Sequence, residues 1–84
     1  MVVEDWIDLV TICNKLPVGH SYYITQREMI KACAMFLSSS LYDTVRTTDV
    51  KERLVPYIET NFDIICSYDI VKDVWLLHKK QTQK

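Results

Sequence analysis

The fold of this chain is decided by residues 62–77, which read Phe62-Asp63-Ile64-Ile65-Cys66-Ser67-Tyr68-Asp69-Ile70-Val71-Lys72-Asp73-Val74-Trp75-Leu76-Leu77. From Ser67 to Lys80, apolar residues recur at helical spacing, which predicts a helix whose polar stripe contains Asp69, Lys72, Asp73 and Lys80. A β-hairpin over 62–77 is the alternative, because 62–66 alternates between the two faces of a strand and 74–77 consists of strand formers. We predict the helix.

Composition favours helix throughout. The chain has 84 residues with one glycine and two prolines, so turn-forming residues are scarce, while 49% of its residues are hydrophobic. A domain of this size buries only about 60% of the surface that its unfolded chain exposes. We therefore predict an all-α fold: a compact bundle of about four helices forming one helical domain over 1–84, with apolar surface left for a partner.

The N-terminal part reads as one helix and one loop. Between Val3 and Leu16 the apolar residues recur at steps of three and four, with polar residues on the opposite stripe. Pro17 and Gly19 end this pattern, so we predict a helix followed by a loop over 17–24.

The next helix has the clearest start signal in the chain. Thr25 and Glu28 have the spacing of a capping box, and Ile24 and Met29 have that of the accompanying hydrophobic staple. The residues that follow are apolar on nearly all sides. This pattern predicts a central helix from Gln26 to Leu37.

A third helix is predicted to begin near Thr48 or Asp49. One apolar stripe then runs through Val50, Leu54, Ile58 and Phe62, but Pro56 lies inside it. An interior proline removes a hydrogen bond and bends a helix. We predict a kinked helix, and the alternative is a new helix that starts at Pro56.

Charge disfavours a nucleic-acid ligand. Ten basic and eleven acidic residues give a net charge of −1, without the basic surface of a DNA-binding protein. The alternative function from this class is a small helix-turn-helix regulator, with 49–60 as the first helix and 67–77 as the recognition helix. Asp69 and Asp73 would then face the phosphates, where their charge has the wrong sign. If 62–77 forms the hairpin, the same region indicates a winged helix.

The reactive residue types do not form a catalytic or metal-binding pattern. Cys13, Cys33 and Cys66 are far apart and flanked by apolar residues, which predicts buried free thiols in a reducing compartment. Neither they nor His20 and His78 have a metal-ligand spacing. We predict no enzyme, no cofactor and no metal. The acidic start and the lack of a long apolar run predict a cytoplasmic protein without a membrane span.

Protein binding is the function that these patterns favour. Tyr22 and Tyr23 lie side by side in the predicted loop, and tyrosine and tryptophan are enriched where partners bind most tightly. We predict a module that binds and regulates or inhibits a larger protein, or pairs with itself as a homodimer, through Tyr22, Tyr23 and Trp75. Eight Ile, seven Lys and five Tyr beside two Ala are typical of AT-rich genomes, which favours a viral or phage accessory protein.

Overall fold

Three helices and a three-stranded antiparallel sheet make up the computed structural model, which describes residues 2–37 and 45–81. The elements follow in the order α1 (Trp6–Lys15), β1 (Ser21–Thr25), α2 (Gln26–Phe36), α3, β2 (Ile64–Asp69) and β3 (Val74–Lys79). The helix α3 is one rod of three successive segments, Thr47–Asp49, Val50–Leu54 and Val55–Phe62. The predicted all-α bundle of about four helices is therefore wrong, and the fold is mixed α and β.

α1 begins and ends as its sequence predicts, within a few residues. Asp5 caps the helix, and its side-chain oxygen accepts the N–H of Asp8 at 2.8 Å. This bond satisfies one of the amides that a first turn leaves open. The helix ends at Lys15, before Pro17. Gly19 follows with a φ of 84°, in the left-handed region that glycine tolerates best.

The segment 17–24, predicted to be a loop, contains most of strand β1. Tyr22 pairs with Leu77 and Ile24 with Trp75, so this short stretch gains its backbone partners from a strand more than fifty residues away. Tyr, Ile and Thr have high strand propensity, but nothing local shows that a partner strand exists. The loop prediction was wrong for 21–24 because β3 had been predicted as helix.

The capping box of α2 is confirmed. Thr25 Oγ1 accepts the N–H of Glu28 at 3.1 Å, and Glu28 Oε1 accepts the N–H of Thr25 at 3.1 Å. Glu28 Oε2 also accepts the N–H of Val3 at 2.7 Å, which fixes the segment before α1 onto α2. Burial by itself raises the pKa of the Glu28 carboxyl, but the hydrogen bonds from Val3 and Thr25 outweigh it, so the pKa is lowered from its ordinary value.

α3 passes through Pro56 by means of a wider turn. In the π-helical segment Val50–Leu54, the N–H of Val55 bonds to the carbonyl of Val50, five residues earlier. In a regular α-helix the ring of Pro56 would crowd the carbonyl of Glu52, which lies in this wider segment. The helix begins at Thr47, one residue before the predicted cap. It then continues without a restart at the proline.

The C-terminal stretch is the hairpin β2–β3, so the predicted helix from 67 to 80 is wrong. Cys66 pairs with Leu77 and Tyr68 with Trp75. Ile70 and Val71, which gave residues 67–80 their helical spacing of apolar positions, lie in the turn between the two strands. Once these two residues are removed from the pattern, most of the inward-facing apolar residues alternate with period two, as a strand requires.

Strand β3 lies at the centre of the sheet, in the order β1-β3-β2. Its Trp75 and Leu77 face the core together with Ile24 and Ile64 of the flanking strands, and the helices cover this inner face. The order of helices and strands, α1-β1-α2-α3-β2-β3, is the order found in winged-helix folds, in which a hairpin at the position of β2–β3 is called the wing. The second helix of the alternative helix-turn-helix, 67–77, is not formed, because these residues belong to the hairpin β2–β3.

Candidate functional site

Trp75 lies in the core. The residue is only 4% exposed, and its indole N–H donates to Gln26 Oε1 at 2.8 Å. Its ring also lies against that of Tyr68, with 5.2 Å between the centroids. A buried indole needs such a hydrogen-bond partner, and the bond ties the hairpin to the first residue of α2. Trp75 therefore stabilises the fold and does not form part of an accessible surface.

The two predicted tyrosines point to opposite faces of the sheet. Tyr22 is half-buried on the inner face and packs against the core, whereas Tyr23 is 62% exposed on the outer face. Successive residues of a strand alternate in this way. Tyr23 pairs with Leu76 of β3, and Leu76 in turn pairs with Ser67 of β2. Of the predicted site residues, only Tyr23 presents most of its side chain to solvent.

The turn of the hairpin, residues 70–73, is held by the aspartates at its two ends. Asp69 Oδ1 accepts the N–H groups of Val71 and Lys72 at 3.0 and 3.2 Å, and the Asp69 carbonyl accepts the N–H of Asp73 at 2.8 Å. Asp73 has a φ of 57° and accepts a hydrogen bond from the Tyr68 hydroxyl. Aspartate suits both positions, because its side chain bonds nearby amides and tolerates left-handed backbone.

This turn carries two apolar side chains into solvent. Ile70 is 81% exposed and Val71 is 89% exposed, more than any other large hydrophobic residue that the structure describes. We call this pair the wing tip. Neither side chain belongs to the hydrophobic core or packs against it. The wing tip is therefore apolar at its surface, and the backbone N–H groups of Val71 and Lys72 are held by hydrogen bonds to Asp69.

A second apolar surface lies where the three helices meet. Trp6 of α1 and Phe36 of α2 lie 4.8 Å apart between ring centroids, and Tyr57 of α3 lies 5.7 and 5.0 Å from them. Phe62 adds a fourth ring at 6.5 Å from Tyr57. We call these four residues the aromatic cluster. The tilted and edge-on ring pairs are those in which aromatic side chains stabilise one another.

The cysteines are buried or half-buried, and their chemistry is suppressed. Burial raises the pKa of Cys13 and of Cys33 to about 11 and that of Cys66 to about 12. These thiols are protonated at neutral pH and are weak nucleophiles.

The ammonium of Lys79 donates to the carbonyls of Cys13 and Phe62 at 2.7 and 3.0 Å, which links β3 to α1 and α3.

A shallow pocket of about 200 Å³ lies between α1 and the edge of the sheet. Its walls are almost wholly apolar. They come from the second half of α1, the residues that follow it and one residue of β1: Thr11, Ile12, Lys15, Leu16, Pro17 and Tyr22. A pocket of this size accommodates one large side chain.

Metal binding and membrane insertion find no support in the described ranges. Residues 2–37 and 45–81 contain no group of three or more His, Cys, Asp or Glu side chains that could hold a metal ion. In the same ranges, none of the helices combines the length and the apolar character needed to cross a membrane. The absence of an enzyme activity, a cofactor and a metal stays a prediction.

In comparisons with known proteins, no family model, no curated protein and no solved structure matches this chain. Its function therefore has to be inferred from its own geometry.

The wing tip and the pocket were both missed in the sequence. Ile70 and Val71 were assigned to a helical stripe, although two aspartates separated by three residues, Asp69 and Asp73, are a recognisable turn signal. The pocket had no local signal, since Tyr22 meets the end of α1 only through the tertiary fold.

Proposed function

We propose that this chain is a protein-binding module that anchors a partner through the wing tip. The observation that carries the proposal is the exposure of Ile70 and Val71, 81% and 89%, at the end of a hairpin that aspartates hold in one shape. Burying such a side chain in a partner contributes about 1.5–3 kcal/mol, and a fixed backbone lowers the entropy cost of binding.

The exposed sheet face extends this surface away from the tip. Val74 and Leu76 lie on the outer face of β3, where Leu76 pairs with Tyr23 of β1. Ile65 lies on the same face of β2 and pairs with His78. Tyr23 and Ile65 are exposed, whereas Val74 and Leu76 are half-buried. An apolar centre with an aromatic side chain at its border is typical of protein interfaces. In this proposal the wing tip is the anchor and Tyr23 a second contact.

Binding to a partner would also be the way in which this chain exerts its effect. We propose that it regulates or inhibits a larger protein by covering part of that protein's surface. Its three free cysteines fit a reducing compartment, which supports a cytoplasmic location.

Duplex DNA is the second candidate ligand, because the topology is that of a winged helix. Two charge patterns oppose it. Over 47–62, α3 carries two basic and three acidic residues, and the hairpin over 64–79 carries two of each sign. Lys79, one of the hairpin's bases, donates to two backbone carbonyls. A duplex is bound chiefly through basic contacts to its phosphates, so a protein partner fits the wing tip better.

Site-specific cross-linking in the source cells tests the proposal. A photoreactive benzoylphenylalanine replaces Val71, and in a matched control it replaces Met35, which is also exposed but lies on α2. We expect a discrete cross-linked protein from position 71 and none from position 35. A cross-linked product near twice 9.9 kDa would identify the partner as a second copy of this chain.

The cross-linked partner is then purified and titrated with wild type and with the double variant Ile70→Thr, Val71→Thr. We expect the affinity to fall by about tenfold or more, since two anchor side chains lose their burial. Equal affinities, or equal cross-linking from both positions, would contradict the proposal. A salt-sensitive shift of duplex DNA that disappears on replacing Lys51 and Lys72 would favour the DNA-binding candidate.

A further inference from the structure

The two edges of the sheet are covered differently. β2 forms one edge, and there the N–H of Cys66 donates to Glu59 Oε2 of α3 at 3.0 Å. A side chain from the helix thus occupies a backbone group that another strand would need. β1 forms the other edge, where Glu28 Oε1 of α2 likewise accepts the N–H of the last residue, Thr25, but the five residues Ser21–Thr25 contain no charge and no proline. Charges and prolines are the usual means by which proteins prevent pairing at an edge strand.

The backbone of β1 has groups that point outward from the sheet. The N–H of Gln26 points toward the hairpin, where it donates to the carbonyl of Asp73 at 3.1 Å. Because these groups alternate in direction along a strand, the N–H and C=O groups of Ser21 and Tyr23 point away from β3. They lie where an added strand would form its hydrogen bonds.

The apolar pocket lies beside this same edge. Tyr22 is the one residue of the sheet among its lining residues, and Leu77, the partner of Tyr22 on β3, is not among them. The pocket therefore opens beyond the β1 edge of the sheet, on the side that the helices cover. A strand added at the usual spacing of about 4.8 Å would direct every second side chain toward α1. One of these side chains would reach the pocket.

The occupant that fits is an extended segment of another protein. In a symmetric pair of two β1 strands, the side chains directed inward would be Tyr22 and Ile24 of the second copy. Ile24 is 1% exposed and Tyr22 packs half-buried against the core of its own copy, so both side chains are already used within one copy. The occupant must instead carry an apolar side chain that its own fold does not use. Lys15 lines the pocket and is exposed, which favours an acidic residue next to this side chain.

We propose that the β1 edge and the α1–β1 pocket form a peptide-binding site that works by strand addition. The ligand is an extended segment with one large aliphatic or aromatic side chain in the pocket and an acidic residue near Lys15. Main-chain hydrogen bonds to Ser21 and Tyr23 supply affinity, and the pocket supplies specificity. This site lies apart from the wing tip, so it does not depend on the function proposed above.

Selection from a library of random ten-residue peptides on the immobilised full chain supplies the probe. We expect the selected peptides to share one large apolar residue with an acidic neighbour. Their synthetic forms are titrated against Thr11→Phe, which fills the pocket, and against Asn14→Phe, which adds the same ring to an exposed position of α1 outside the pocket. We expect affinity to fall by about tenfold or more with Thr11→Phe and to stay unchanged with Asn14→Phe.

The edge is tested with a second pair of variants. Tyr23→Pro removes the outward N–H, whereas Tyr23→Ala removes the ring and keeps the N–H. We expect only the proline variant to lose the peptide, and the double variant Ile70→Thr, Val71→Thr to bind it as wild type does. The proposal is overturned if no peptide is selected, or if Thr11→Phe binds as tightly as Asn14→Phe. It is also overturned if the chain pairs with itself and Thr11→Phe abolishes that pairing, since the occupant would then be a second copy.

Discussion

The aromatic cluster and the wing tip both bring apolar side chains to the surface, but the cluster is mostly half-buried against the core and the wing tip is fully outside it. In the aromatic cluster the rings of Trp6, Phe36 and Tyr57 lie within 4.8–5.7 Å of one another and join three helices. At the wing tip, Ile70 and Val71 extend from a turn and lie outside the core. The comparison teaches that exposure alone does not indicate function. An exposed apolar residue is informative when the fold gains nothing from it.

The largest expected effect concerns the aromatic cluster. Phe36→Ala removes the ring that contacts both Trp6 and Tyr57, so we expect the free energy of unfolding in urea to fall by about 2–3 kcal/mol, less than for a fully buried phenylalanine. Met35→Ala, at an exposed neighbouring position of α2, is the control and should cost much less. Equal losses for the two variants would show that the cluster does not stabilise the helices.

A smaller effect, and one that depends on pH, is expected at Glu28, which fixes the segment before Trp6 onto α2. Its pKa is lowered in the folded state, so its carboxylate stabilises the fold above the pKa of the unfolded chain. This contribution is lost as the pH falls through the folded pKa. Glu28→Gln should therefore cost about 0.5–1 kcal/mol near pH 7, a value reduced for solvent screening, and almost nothing at strongly acid pH.

Urea unfolding of wild type and Glu28→Gln at a series of pH values measures this difference. Phe36→Ala is the comparison variant, because it removes neither a titrating group nor a hydrogen-bond partner of Glu28. A difference between wild type and Glu28→Gln that stays constant down to acid pH would contradict the role given to the charge.

The smallest expected effect concerns the wing tip itself. The double variant Ile70→Thr, Val71→Thr should change the free energy of unfolding by less than about 0.5 kcal/mol, because both side chains are already in solvent and threonine keeps their branched shape. Chemical denaturation of the isolated chain measures it. A loss comparable to that of Phe36→Ala would show that the fold uses these residues, and the argument for a partner at the wing tip would lose its basis.

Of the three residues that the sequence predicted to bind a partner, only Tyr23 is exposed. Tyr22 and Tyr23 were chosen because tyrosine is frequent at interfaces, but residue type cannot say which of the two side chains faces solvent. Trp75 was chosen for the same reason and lies in the core, where Gln26 satisfies its indole N–H. Ile70 and Val71 were missed because an apolar residue has the same sequence signal whether it fills a helical stripe or projects from a turn.

The sequence by itself determined the features whose partners lie within a few residues. The capping box of Thr25 and Glu28, the central helix, the end of α1 before Pro17 and the passage of α3 through Pro56 are of this kind, because caps and prolines act on the adjacent turn. The tertiary structure alone decided the sheet. β1 and β3 are about fifty residues apart in the sequence, and in the described sheet β1 pairs with β3 alone. Long-range pairing therefore overrode the helical spacing of 67–80, and it placed two apolar side chains at the end of a wing.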